Sequence, residues 1–228
     1  MHSDWIVPDW PAPARVRAVC TTRDGGVSLA PYDSLNLGDH VGDDPSAVAR
    51  NRSIFAAALA ARPVFLQQVH GSGVVRLAAD TADATQADAC VATDAGMACT
   101  IMVADCLPVL FTDSDGTAVA AAHAGWRGLA GSAGVGVLET VTQAFWDALP
   151  GPRDQAARKT IAWLGPCIGP RAFEVGDEVK QAFESHDAAA AAMFEPLSSG
   201  KWLADLQGLA RLRLAALGVT QVYGNDGS

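Results

Sequence analysis

The sequence predicts a layered α+β fold, and three observations predict it. Four short β-rich runs follow one another in the middle of the chain: Asp88–Thr93, Ala98–Ala104, Pro108–Asp113 and Thr117–His123. Helical periodicity is confined to the segments that flank them. The elements come as a block of strands followed by helices, which argues against a regular βαβ array.

Each element has a local reason. Val16–Thr21 is a β-branched run that ends at the turn residues Arg23-Asp24-Gly25-Gly26, so it reads as a strand. Ser34-Leu35-Asn36-Leu37-Gly38 reads as a loop. Asp44-Pro45 supplies the N-cap and first-turn proline of a helix reaching about Ala61, with Val48, Phe55 and Leu59 on one face. Pro63–His70 is the next strand, with Val74–Ala78 as its pairing partner. After the meander, a helix spans Ser132 to Leu149 and closes at Pro150-Gly151-Pro152. Thr160–Leu164 is a strand, Gly176–Glu184 and Asp205–Leu217 are helices, and Val219–Tyr223 is a last short strand. With no repeat and no long linker, residues 1–228 read as a single domain.

Composition narrows the function. The chain has 228 residues, is half apolar and carries a net charge of −9. Its longest apolar stretches, such as Ala118–Ala122 and Ala188–Phe194, fall far short of the ~20 residues a spanning helix needs. Met1-His2-Ser3-Asp4-Trp5 shows no export signal. The acidic balance disfavours a nucleic-acid or anionic-membrane partner, which would require a basic face. The cysteines Cys20, Cys90, Cys99, Cys106 and Cys167 are odd in number and form no C-x-x-C pair, which predicts free thiols in a reducing cytoplasm.

One pair of reactive side chains follows from strand geometry. Pro108–Asp113 and Thr117–His123 flank Ser114-Asp115-Gly116, a hairpin signal. If Ser114-Asp115 is the loop, Cys106 faces His123. If Asp115-Gly116 is the loop, the match slips by two residues. Either register places a thiol and an imidazole near each other at the open end of the hairpin. Two chemistries fit: His123 activates Cys106 as a thiolate nucleophile, as in hydrolases and deamidases, or both bind a metal. His70 in Gln67-Gln68-Val69-His70-Gly71 is the candidate third ligand, although spacing alone does not bring it there. Arg23 and Arg127 are candidate anion contacts. Cys167 sits in the rigid turn Gly165-Pro166-Cys167-Ile168-Gly169-Pro170.

These segments resemble a known family. Trp5–Trp10, Thr21-Thr22-Arg23-Asp24-Gly25-Gly26-Val27-Ser28, Ser34–Gly38, Gln68-Val69-His70-Gly71, Ala104-Asp105-Cys106-Leu107-Pro108-Val109, Ala122-His123-Ala124-Gly125-Trp126-Arg127-Gly128 and Gly165–Pro170 are similar to the bacterial YfiH-type family. That family has long been called multicopper polyphenol oxidoreductases or laccase-like proteins. The resemblance implies a mixed sheet flanked by helices, related to the necrotizing-factor deamidase toxins. It implies a zinc site of His70, Cys106 and His123, with copper as the alternative occupant. It implies phosphorolysis of adenosine, inosine, guanosine and methylthioadenosine, adenosine deamination, and purine nucleosides with phosphate as partners of a monomer or small homo-oligomer. Arg23, Asn36, Arg127 and Cys167 are the expected substrate contacts. Five histidines are too few for a four-copper laccase site within one chain. In the family pattern, the stretch like Val219–Gly224 continues into a closing strand with arginines. Asn225-Asp226-Gly227-Ser228 stands there instead, so that strand is expected to be missing.

Overall fold

The computed structural model describes residues 2–227. Its centre is a mixed six-stranded sheet built from β2 (Val74–Arg76), β3 (Ala89–Ala92), β5 (Leu107–Asp113), β6 (Val119–Ala124), β7 (Thr160–Leu164) and β11 (Gln221–Gly224). The spatial order is β11-β7-β5-β6-β3-β2. The outer pairs β11–β7 and β2–β3 are parallel, and the inner pairs are antiparallel.

Side-chain alternation along these strands builds two cores. Ala89, Val91, Val109, Phe111, Ala120 and Ala122 face one side. There they meet α2 (Trp126–Ala130), α3 (Val137–Asp147) and α6 (Leu206–Ala216) through Leu129, Leu138, Val141, Phe145, Leu209 and Leu214. The alanines of β6 keep this face flat enough for the bulky residues of α3 to approach closely. Cys90, Ala92, Ala121 and Leu110 face the other side. They are covered by Val64, Leu66 and Leu77 and by a small parallel sheet of β1 (Arg62–Phe65) and β4 (Met97–Thr100). A third cluster of Trp5, Leu35, Phe55 and Phe65 fastens α1 (Pro45–Leu59) and the N-terminal loops to that layer.

Side-chain caps close two helix starts, the one at Asp44 as expected. Asp44 caps α1 by accepting from the Ser46 N–H at 2.8 Å, a contact of about 1 kcal/mol. Asp205 caps α6 by accepting from Gly208 N–H at 2.7 Å. The mixed sheet with flanking helices agrees with the predicted α+β class.

Other expectations are corrected. Val16–Thr21 forms no strand; Cys20 alone makes a bridge, to Ile6. The strand expected over Pro63–His70 stops at Phe65, and β2 pairs with β3 rather than with it. The strand expected over Ala98–Ala104 stops at Thr100, because Gln68 captures the next backbone groups. Its side chain accepts from Met102 N–H and donates to Met102 C=O, both at 2.8 Å. The helix expected from Ser132 begins at Val137, since Gly131 and Gly134 adopt φ of 67° and 78° in the preceding turn. The sequence reading also missed α2, α4 (Arg153–Lys159) and a three-stranded antiparallel sheet. That sheet is formed by β8 (Glu174–Gly176), β9 (Phe194–Ser198) and β10 (Lys201–Ala204), beside α5 (Asp177–Glu184). No described helix is long and apolar enough to cross a membrane.

Candidate metal centre

Strand parity places the reactive residues. The β5–β6 register pairs Pro108 with His123 and Leu107 with Ala124, the alternative that puts the turn at Asp115-Gly116. Cys106 therefore lies one step before β5, opposite Gly125. Asp88 lies one step before β3, and its carbonyl accepts from His123 N–H at 2.7 Å. By alternation Asp88, Cys106 and His123 all belong to the face that carries Cys90, Ala121 and Leu110. The chain leaving β1 crosses the end of this face and delivers His70.

His70, Cys106 and His123 offer three ligand atoms that all lie within 4.8 Å of one another. Cys106 Sγ is 3.8 Å from His70 Nε2. The two imidazole rings meet edge to face, with centroids 4.6 Å apart. Donors around a tetrahedral zinc stand roughly 3.3–3.8 Å apart, so the trio fits such an ion with little rearrangement. Two imidazoles and one thiolate also suit copper. His123 is buried while His70 is exposed, so the centre opens to solvent on the His70 side.

Asp88 organises this centre and was missed by the sequence reading. It is fully buried. It accepts from His123 Nδ1 at 2.9 Å, leaving Nε2 of that ring for the centre. The same carboxylate accepts the N–H groups of Val69, His70 and Gly71 at 3.2, 2.8 and 2.7 Å. His70 sits at φ 60°, a left-handed conformation that a non-glycine residue adopts at a cost of order 1 kcal/mol or more. The available signal was an acid immediately preceding the apolar run Ala89–Ala92.

The electrostatics follow from these contacts. Burial opposes a charge on His123, but Asp88 and Cys106 outweigh it and raise its pKa to about 9. Burial, His123 and Arg127 lower the pKa of His70, leaving it a neutral donor near pH 7. Burial opposes ionisation of Asp88, yet hydrogen bonds from His123, Gly71 and Val69 hold its pKa below the usual carboxylate value.

The glycines of His123-Ala124-Gly125-Trp126-Arg127-Gly128 are space requirements. A Cβ on Gly125 would stand 2.9 Å from Cys106 Sγ and 3.0 Å from His70 Cδ2. One on Gly128 would stand 2.6 Å from the Gly71 carbonyl. Both positions let α2 seat against the His70 loop.

The expected substrate contacts separate into two groups. Arg127 is exposed, stacks its guanidinium 4.6 Å above the Trp126 ring and lies within electrostatic reach of His70. Cys167 belongs to a turn docked on the Cys106 segment, where Ile168 N–H donates to Asp105 C=O at 2.9 Å. Burial and the nearby Asp205 and Cys106 push the Cys167 thiol up to about 12, so it is a poor nucleophile. Arg23 and Asn36 are instead tied into the N-terminal loops. Arg23 Nε donates to Asp33 C=O at 2.7 Å, and Asn36 Nδ2 donates to Asp43 at 2.9 Å. The buried Asn51 joins these loops by donating to Ser28 Oγ and to the carbonyls of Ser34 and Asn36. Two surface hollows of about 580 and 470 Å³ have none of His70, Cys106 and His123 in their walls.

Comparison with known proteins identifies the family of the chain. A purine nucleoside phosphorylase of Pseudomonas aeruginosa is 55% identical over 221 residues, covering 96% of this chain and 86% of the relative. The Escherichia coli purine nucleoside phosphorylase YfiH is 52% identical over 227 residues, covering 98% and 88%. A crystal structure of a Neisseria meningitidis protein superposes with a TM-score of 0.88 at 48% identity, covering 99% of this chain and 88% of that one. YlmD from Geobacillus stearothermophilus superposes with a TM-score of 0.82 at 30% identity, covering 99% and 87%. The family model described as multi-copper polyphenol oxidoreductase laccase matches residues 17–227, and the chain belongs to that family, which includes the YfiH proteins.

Proposed function

We propose that this chain is a zinc-dependent purine nucleoside phosphorylase whose centre is His70, Cys106 and His123. The observation that carries the reading is the cluster of three donor atoms within 4.8 Å, open on one side. The names of its relatives supply the reaction class. Bound zinc would act as a Lewis acid and would lower the pKa of a water in its open position. The substrates would be adenosine, inosine, guanosine and methylthioadenosine, with hydrolytic deamination of adenosine as a second activity at the same centre.

The protein groups have separate tasks in this reading. Arg127 would attract phosphate to the open side, held in place by its stacking on Trp126. Asp88 keeps His123 oriented with Nε2 toward the centre. Cys167, held as a thiol, would contribute shape rather than charge.

Copper-dependent phenol oxidation is the second reading, favoured by the description of the family. The described residues contain one cluster of three such donors, which provides for a single copper and not for a trinuclear site. Metal analysis combined with adenosine plus phosphate decides between the readings. About one zinc per chain, with adenine and ribose 1-phosphate as products, is expected. Undiminished phosphorolysis after complete metal removal would overturn the zinc mechanism. Phenol oxidation restored only by copper would favour the second reading.

A further inference from the structure

We propose that Asp88 is a positioning residue that assembles the metal centre before any metal arrives, by fixing both histidine ligands with one carboxylate. The inference rests on reading His70, Cys106 and His123 as a metal centre, but not on the reaction carried out there.

The argument begins with what each histidine lacks. His70 lies in the loop between β1 and β2, and its left-handed φ of 60° has no glycine to make it easy. Three consecutive amides, Val69, His70 and Gly71, converge on the Asp88 carboxylate, and these bonds offset the backbone strain. Converging amides of this kind form a cradle for an anion. Here the anion belongs to the protein itself. His123 is anchored in β6, which fixes its backbone but not its two side-chain torsions. The 2.9 Å contact from Nδ1 to Asp88 Oδ1 fixes those torsions and directs Nε2 at Cys106. The Oδ1 atom that holds the His123 ring also accepts the His70 amide. A shift of Asp88 therefore displaces both ligands together.

Position in the sheet makes the device rigid. Asp88 is fully buried at the start of β3, and its own N–H donates to Gly73 C=O at 3.0 Å. Its carboxylate is held by four protein groups, the amides of Val69, His70 and Gly71 and the Nδ1 of His123.

Two measurements test this. First, zinc affinity is read by competition with a chromogenic chelator, and ligand geometry by the absorption of the cobalt-substituted protein. Asp88→Asn, which keeps the size but loses acceptor capacity, should weaken zinc roughly 10- to 100-fold and change the cobalt spectrum. Asp113→Asn, at the opposite end of the same sheet, should leave both readouts unchanged. Wild-type affinity and spectrum in Asp88→Asn would overturn the proposal. Second, amide hydrogen exchange is followed in wild-type protein stripped of metal. The amides of residues 69–71 should stay protected, because Asp88 and not the metal holds them. Exchange at the rate of an open loop would overturn the proposal even if Asp88→Asn does not fold. Wild-type protein that binds no metal at all would instead sink the metal reading itself.

Discussion

Asp88 and Asp113 are both buried carboxylates on the central sheet, and each accepts three backbone N–H groups. They lie at opposite ends of it. Asp113 closes the β5–β6 turn by accepting from Asp115, Thr117 and Ala118 at 3.0, 2.7 and 3.0 Å. The three amides its carboxylate accepts lie two to five residues ahead, so that carboxylate shapes the hairpin turn. Asp88 reaches 17 to 19 residues back and 35 residues forward, to a loop and to the ring of a histidine. The same chemistry thus ends one edge of the sheet as a tight turn and opens the other as a reactive cluster. The span of the partners makes the difference. A local carboxylate shapes a turn, whereas a long-range one brings together groups that chain connectivity keeps apart.

Four perturbations test that contrast. Removing the thiol should have the largest effect. Cys106→Ala is expected to bind no stoichiometric zinc and to lose nucleoside turnover while remaining folded, as read by metal analysis and circular dichroism. Full zinc retention in that variant would break the assignment of the open end.

The pH dependence of metal binding comes next. The pKa of His123 is raised from 6.5 to about 9, so its proton favours the folded metal-free chain fully below about pH 6.5. That contribution is lost as pH rises through 9. A metal must displace the same proton from Nε2, so this proton alone should raise zinc affinity across the window by up to about tenfold per pH unit. A flat profile in buffered competition titrations would show that His123 is not a ligand.

Filling the space beneath the trio should act more mildly. Gly125→Ala places a methyl group 2.9 Å from Cys106 Sγ and 3.0 Å from His70 Cδ2. The overpacking should cost ~1–3 kcal/mol, seen as weaker zinc binding more than as a lower melting temperature. An unchanged zinc affinity would mean that the centre is looser than this packing indicates.

The smallest effect on the centre should come from its opposite end. Asp113→Ala leaves three amides without their acceptor and should destabilise the fold by on the order of 3 kcal/mol in denaturant melts. Its zinc affinity should match wild type. A parallel loss of zinc would show that the two ends of the sheet are coupled.

Cys106 and His123 were legible in the sequence because they flank one hairpin, and period-two alternation with a short turn places them within two residues of each other. The Asp113 turn, hidden in Asp113-Ser114-Asp115-Gly116, then selects the register. Asp88 was not legible, because an acid before an apolar run signals no partner when its partners lie in other elements. The three-stranded sheet was missed for a similar reason. β8 has three residues, and β9 carries Pro196 within Phe194–Ser198, so neither shows a clear strand pattern. The run Val16–Thr21 shows the opposite error, with strand propensity but almost no ladder to join.

What the sequence by itself determined is therefore local: the α+β class, the cap at Asp44, the central strands, and the pairing of a thiol with an imidazole across a turn. Tertiary structure alone decided that His70 completes the trio, that Asp88 binds both histidines, and that Gly125 and Gly128 provide the necessary space. Local propensities act over a few residues and can be read from them. The centre depends on closing loops between β1, β3, β5 and β6, and the free energy for that closure comes from the burial of two sheet faces rather than from any one segment.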